Sequence, residues 1–140
     1  MVDPRELAKI SDQMAARGPD GEGSWISADK KIGFAHKRLA IIDTTEGGSQ
    51  PMSLTNGQGE VRLVITYNGE IYNYKELREE LISDGLRFTT QSDTEVLLHL
   101  YDRFGSAMVA RLRGMFAFAI WDNEKQKLFL ARDPFGIKPL

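Results

Sequence analysis

Several short stretches carry residue types and spacings that could do chemistry. Asn68-Gly69-Glu70 follows an apolar run and offers a side-chain amide donor beside a glycine N–H with no Cβ in the way. Two such donors could form an oxyanion hole, where each is typically worth about 10²–10³ in rate. Asn-Gly after a β run is also the ordinary mark of a hairpin turn. Against the turn, Ile71-Tyr72-Asn73-Tyr74 does not clearly mirror the strand before it. In "HKRLAIID", residues 36–43, a strand ends in Arg38, whose planar fork suits a carboxylate. Each such charge-assisted bond contributes roughly 1.5–3 kcal/mol, although a surface arginine would explain the segment equally simply. In "QSDTEV", residues 91–96, Asp93 stands at a helix start, where capping is the ordinary role and a ligand ammonium the chemical one. A zwitterionic amino acid needs one cation and one anion, and Arg38 with Asp93 would supply the pair.

Other segments are less specific. "ARGPDGEG", residues 16–23, would shape a site through its backbone and Arg17 or Asp20, or simply stop a helix and turn. Its glycines match no phosphate loop, because no strand precedes them and no Gly-Lys-Ser/Thr follows. His36 and His99 stand alone in a strand and a helix pattern, where packing explains them. The chain has no cysteine, which excludes disulfides, thiolate metal sites and a cysteine nucleophile within it. A net charge of −2 provides no field toward nucleic acid or an anionic membrane. No apolar run approaches the roughly 20 residues that span a bilayer, and the N-terminus is not a signal peptide, so the expected location is cytoplasmic.

The elements that must position these residues follow from periodicity and punctuation. With 140 residues, 41% hydrophobic and 27% charged, the chain suits one soluble domain. Asp3-Pro4 opens a helix over 4–16 with Leu7, Ile10 and Met14 on one stripe, and Gly18-Pro19 ends it. Strands are expected at Ser24–Ser27, Ile32–Arg38 and Val61–Tyr67, with loop over 43–60. Tyr74–Ser83 reads as a helix, and Ser92 with Glu95 reads as a capping box opening another, closed by Phe104-Gly105. "MFAFAIWD", residues 115–122, reads as a strand buried on both faces. Phe116, Phe118 and Ile120 would fill a core, while Ala117 and Ala119 would let a second layer approach closely. Asn123–Gln126 turns into a return strand over Lys127–Ala131, and 131–140 reads as the start of another extended segment. The class is α+β, with mainly antiparallel sheets covered by helices.

Taken together and in order, "RGPDGEG", "HKRLAIID", "NGEIYNYKELREEL", "SDTEV", "RLRGMFAFAIWD" and "LFLARDPFGIKPL" resemble the glutamine amidotransferase domain of glutamine-hydrolysing asparagine synthetases. The resemblance covers essentially all of residues 1–140 as one type 2 amidotransferase domain. It implies the N-terminal-nucleophile hydrolase fold, a four-layer α/β/β/α sandwich of antiparallel sheets. It implies that Arg38 grips the α-carboxylate of L-glutamine, that Asp93 takes its ammonium, and that the backbone of Leu39, Ile41 and Ile42 lines the pocket. Asn68 and Gly69 would form the oxyanion hole, and Glu70 would complete the substrate contacts. The product ammonia would serve ATP-dependent amidation of aspartate in a synthetase domain, with a homodimer as the form of the full-length enzyme.

This sequence departs from the family pattern in three respects. The family's nucleophile is an N-terminal cysteine that begins a β-strand ahead of the first helix, and both are absent here. The domain is therefore expected to be incomplete, lacking its first strand, and inactive by itself. No synthetase domain or phosphate loop follows, so no cofactor is expected in this chain; ATP and Mg belong to the synthetase domain. Ala16 also stands where the family tends to have histidine. The alternative is a cysteine-less relative, similar to β-lactam synthetase, that binds glutamine or acts as a scaffold.

Overall fold

The computed structural model of the protein describes residues 1–18, 20–38 and 46–140. Helix α1 (Pro4–Gln13) starts where the Asp3 carboxylate accepts the Arg5 N–H at 2.8 Å, with proline in the first turn. It is shorter than the expected 4–16, because Ala15–Arg17 tighten into a 3-10 turn. Strands β1 (Gly21–Ile26) and β2 (Gly33–Arg38) form an antiparallel two-stranded sheet. Next come β3 (Met52–Thr55), β4 (Val61–Ile71), α2 (Tyr74–Ser83), α3 (Asp93–Phe104), β5 (Gly114–Asp122) and β6 (Lys127–Arg132). These strands make an antiparallel sheet in the order β3-β4-β5-β6.

The alternation expected in β5 decides the layering. Phe116, Phe118 and Ile120 join Leu63, Ile65 and Tyr67 in the main core against α3. On the opposite face, Val64 and Trp121 pack with Phe34 of β2, and Trp25 and Ala119 lie alongside. The small alanine face thus admits the β1–β2 sheet, and α1 packs on the far side of that sheet. The layers run α1, β1–β2, β3–β6, then α2 and α3. That is the α/β/β/α order that the resemblance implies.

Three local expectations are corrected. The stretch 43–60 contains β3, a short edge strand whose alternation is too brief to stand out. The hairpin reading of Asn68-Gly69 fails, because β4 runs on through both residues to Ile71 and pairs with β5 throughout. Glycine is needed there for another reason. Gly69 has φ +147° and faces Phe116 so closely that a Cβ would lie 2.1 Å from the Met115 carbonyl oxygen. The end of the chain is no extended segment either. The Asp133 carboxylate accepts the N–H groups of Phe116, Phe135, Ile137 and Lys138 and folds 133–138 into a turn against β5.

The capping box at α3 forms only in half. The Ser92 hydroxyl accepts the Thr94 N–H at 3.1 Å, as a cap should. Glu95 does not reach back to the Ser92 N–H. Its two oxygens accept the N–H and hydroxyl groups of Thr89 and Thr90 instead, at 2.6–3.0 Å. Glu95 therefore fixes the loop that leads into Asp93.

Candidate functional site

A cleft of about 940 Å³ lies between β2, the alanine face of β4–β6 and the first turn of α3. Strand alternation places its polar residues. On β2, His36 and Arg38 are two residues apart and share a face; on β4, Thr66 and Asn68 do the same. Ala117 and Ala119 of β5 form a low floor across which these groups meet. Arg38, Asn68, Gly69 and Asp93 all line this one cleft. Glu70 is half-buried on β4 and is not part of the cleft wall. Leu39, Ile41 and Ile42 lie outside the described residues, as does Pro19.

The "ARGPDG" stretch supports Arg38 through its backbone. The Asp20 N–H donates to the Arg38 carbonyl at 2.9 Å. Gly18 packs so tightly on β2 that a Cβ would sit 2.5 Å from the Arg38 nitrogen. Any larger residue at 18 would push the end of β2, and Arg38 with it, out of place.

Asp93 is built into the fold as well as into the cleft. Only 4% exposed, its Oδ2 accepts the Tyr67 hydroxyl at 2.8 Å and the Ile71 N–H at 3.2 Å. Burial pushes its carboxyl above the usual range, and the bonds from Tyr67 and Ile71 only partly offset that. Burial and the neighbouring Asp93 charge push the Tyr67 phenol up in turn, so it stays a donor. A desolvated carboxylate at a helix N-terminus is well suited to receive a cation.

Sequence reasoning passed over two members of this wall, Gln50 and Thr66, and read a third, His36, as packing. Gln50 accepts the Tyr67 N–H through its Oε1 at 2.6 Å and reaches toward the Thr94 hydroxyl, joining β4 to α3. Thr66 faces His36 across the cleft, with its Oγ1 3.2 Å from His36 Nδ1. Burial, then the Arg38 charge, hold the His36 imidazole down to about 4, so it is neutral near pH 7. A lone histidine in a strand pattern gave no sign of this, since its partner lies 30 residues away. Among the described residues, no cluster of side chains could hold a metal ion, and no helix is long and apolar enough to cross a membrane.

Chemically, the cleft presents a guanidinium-bearing strand, a carboxylate on a helix start, and an amide beside a Cβ-free backbone. That set matches a small zwitterion carrying a polar side chain. The chain is 50% identical over 140 residues to "Asparagine synthetase [glutamine-hydrolyzing] 1" of Bacillus subtilis, covering 99% of this chain and 21% of that protein. It is 46% identical over 138 residues to "Putative asparagine synthetase [glutamine-hydrolyzing]" of Mycobacterium bovis, covering 96% and 21%. The chain thus spans about a fifth of the length of these curated relatives. Among solved structures, it is similar to a glutamine phosphoribosylpyrophosphate amidotransferase from B. subtilis complexed with ADP and GMP. That likeness has TM-score 0.63 and 31% identity, over 75% of this chain and 24% of that one. The fold is accordingly that of the N-terminal-nucleophile amidotransferases. With a glutamine amidotransferase domain model matching residues 2–140, the chain belongs to the glutamine amidotransferase domain family.

Proposed function

We propose that the cleft binds L-glutamine and that the chain is the glutaminase domain of a glutamine-hydrolysing asparagine synthetase. The convergence of Arg38, Asn68, Gly69 and Asp93 from three separate elements on one cleft carries this reading. In it, Arg38 pairs with the α-carboxylate of glutamine. Asp93 receives the α-ammonium with the oxygen capacity that Tyr67 and Ile71 leave. The carboxamide then lies over the alanine floor with its oxygen at the Asn68 amide and the Gly69 N–H. These donors stabilise charge that develops on that oxygen when a nucleophile attacks the carbonyl carbon. Glu70 acts from the edge of the site.

The nucleophile is not among the residues of this chain, which has no cysteine. The proposed whole reaction therefore needs a cysteine thiolate to attack glutamine, release ammonia and leave a thioester for water to hydrolyse. The ammonia is consumed by a synthetase domain that activates aspartate with ATP. In this reading the location is cytoplasmic, the full enzyme is a homodimer, and neither nucleic acid nor membrane is a partner. The absence of cysteine favours a second reading, in which the chain binds glutamine or serves as scaffold without hydrolysing it.

Isothermal titration of the chain with L-glutamine tests the proposal, with D-glutamine and glutaramate (glutamine without its ammonium) as controls. Saturable binding of L-glutamine alone is the expected result. No binding, or equal binding of all three, would refute it. Adding a cysteine-bearing N-terminal segment then separates the two readings: restored hydrolysis supports the glutaminase, and binding without hydrolysis the scaffold.

A further inference from the structure

Among the described residues, the two sheets are not hydrogen-bonded to each other as strands, so the distance from Arg38 on β2 to Asn68 on β4 depends on how the sheets pack. The facing residues form three successive levels. Phe34 and Val64 pack in one apolar cluster. His36 and Thr66 meet next, at 3.2 Å. Arg38 and Asn68 come last and open onto the cleft. Each step is two residues, about 7 Å along a strand. The Phe34–Val64 level holds the sheets together, but apolar packing is non-directional and sets their offset less sharply than a directional bond does. The His36–Thr66 bond is directional, and it lies one step from the site.

We propose that His36, tied to Thr66, is a positioning residue that sets the spacing between Arg38 and Asn68 and thereby the affinity for glutamine. The inference rests on the glutamine reading above. Each end of the tie is placed by its own sheet: β2 by β1 and the Gly18 contact, β4 by β3 and β5. The imidazole is half-buried and neutral, so it carries no charge that would compete with Arg38 for the carboxylate. An absent ring would leave the two substrate grips on sheets free to shift by fractions of an ångström, enough to weaken a bidentate contact.

The test compares His36→Leu, His36→Asn and Thr66→Val for L-glutamine binding by calorimetry, with thermal melting alongside. Asparagine can present a hydrogen-bonding group near the position of Nδ1, and valine keeps the volume of Thr66 without its hydroxyl. The expected result is a Kd raised about tenfold in His36→Leu and Thr66→Val. His36→Asn should stay within about threefold of wild type, and the double variant His36→Leu/Thr66→Val should be no worse than the weaker single. Additive losses, or a loss in His36→Asn equal to that in His36→Leu, would overturn the tie. If His36→Leu does not fold, Thr66→Val decides alone, unchanged affinity counting against the tie and tenfold weakening for it. A wild-type chain that binds no glutamine refutes the glutamine reading and removes the role assigned to the tie. A wild-type chain that binds as well as Thr66→Val refutes the tie and leaves that reading standing.

Discussion

Asp93 accepts the Tyr67 hydroxyl at 2.8 Å in a nearly solvent-free setting, and this one contact locks the start of α3 to β4 beside Asn68-Gly69. The same carboxylate oxygen takes the Ile71 N–H, so the bonds bracket residues 68–70 on both sides. Tyr67→Phe removes one donor to a buried anion and should cost about 1.5–3 kcal/mol. Asp93 would then titrate higher still, so the deficit should shrink as pH falls and the carboxyl protonates. Urea melts at neutral and acidic pH measure this. A deficit under about 0.5 kcal/mol at neutral pH would contradict it.

Gly69 cannot be replaced without moving β5. A methyl group would meet the Met115 carbonyl oxygen at 2.1 Å on a backbone with φ +147°. Gly69→Ala should therefore destabilise the fold by about 3 kcal/mol or more, combining strain and clash. Equilibrium denaturation of the variant gives the value. The neighbouring Asn68→Ala is the contrast, since Asn68 is exposed and should cost under about 1 kcal/mol.

Glutamine binding should be linked to a proton. Asp93 titrates above the usual carboxylate range, because burial disfavours its charge. A bound ammonium favours the carboxylate and lowers that pKa, so binding releases protons. Affinity should weaken as pH falls through the Asp93 titration of the unliganded chain. Titrations in buffers of different ionisation heat count the protons, and uptake in place of release would remove the ammonium role from Asp93.

Glu95 gives the fold an acid-sensitive joint. Burial raises its carboxyl, but the nearby His99 ring, 3.7 Å away, and the four donors from Thr89 and Thr90 outweigh that and hold it at about 2, against 4.5 for the free group. Because the folded pKa is depressed, its contribution is present above about pH 4.5 and is lost as pH falls toward 2. Glu95→Ala should cost about 2–4 kcal/mol at neutral pH and flatten the acid limb of the stability curve. An unchanged acid limb in chemical denaturation across pH 2–6 would show that other carboxylates dominate it.

The purified chain should release no ammonia from glutamine above a blank, because no cysteine is present to attack the carboxamide. A glutamate dehydrogenase-coupled assay reads this directly. Release that scales with chain concentration would mean that a serine, threonine or bound water takes the nucleophile's place.

The sequence by itself determined the helices, the two long strands of the main sheet and the family. α2 matched the expected Tyr74–Ser83, and the alternation of large and small residues in β5 foretold that one face would be core and the other would admit a second layer. These features are set by local periodicity and capping, which act over a few residues and are written in consecutive letters. Only the tertiary structure decided how Asn68-Gly69 and Glu95 are held. Asn-Gly reads as a turn by local chemistry, but pairing with β5 keeps it in a strand and makes the glycine a matter of close approach. Glu95 reads as half of a capping box, but the loop at Thr89 and Thr90 offers it four donors instead of one. The His36–Thr66 bond, the Gln50 bridge and the embrace of Asp93 by Tyr67 all join residues far apart in the chain. Such contacts depend on how two sheets and a helix stack, and no window of sequence contains both partners.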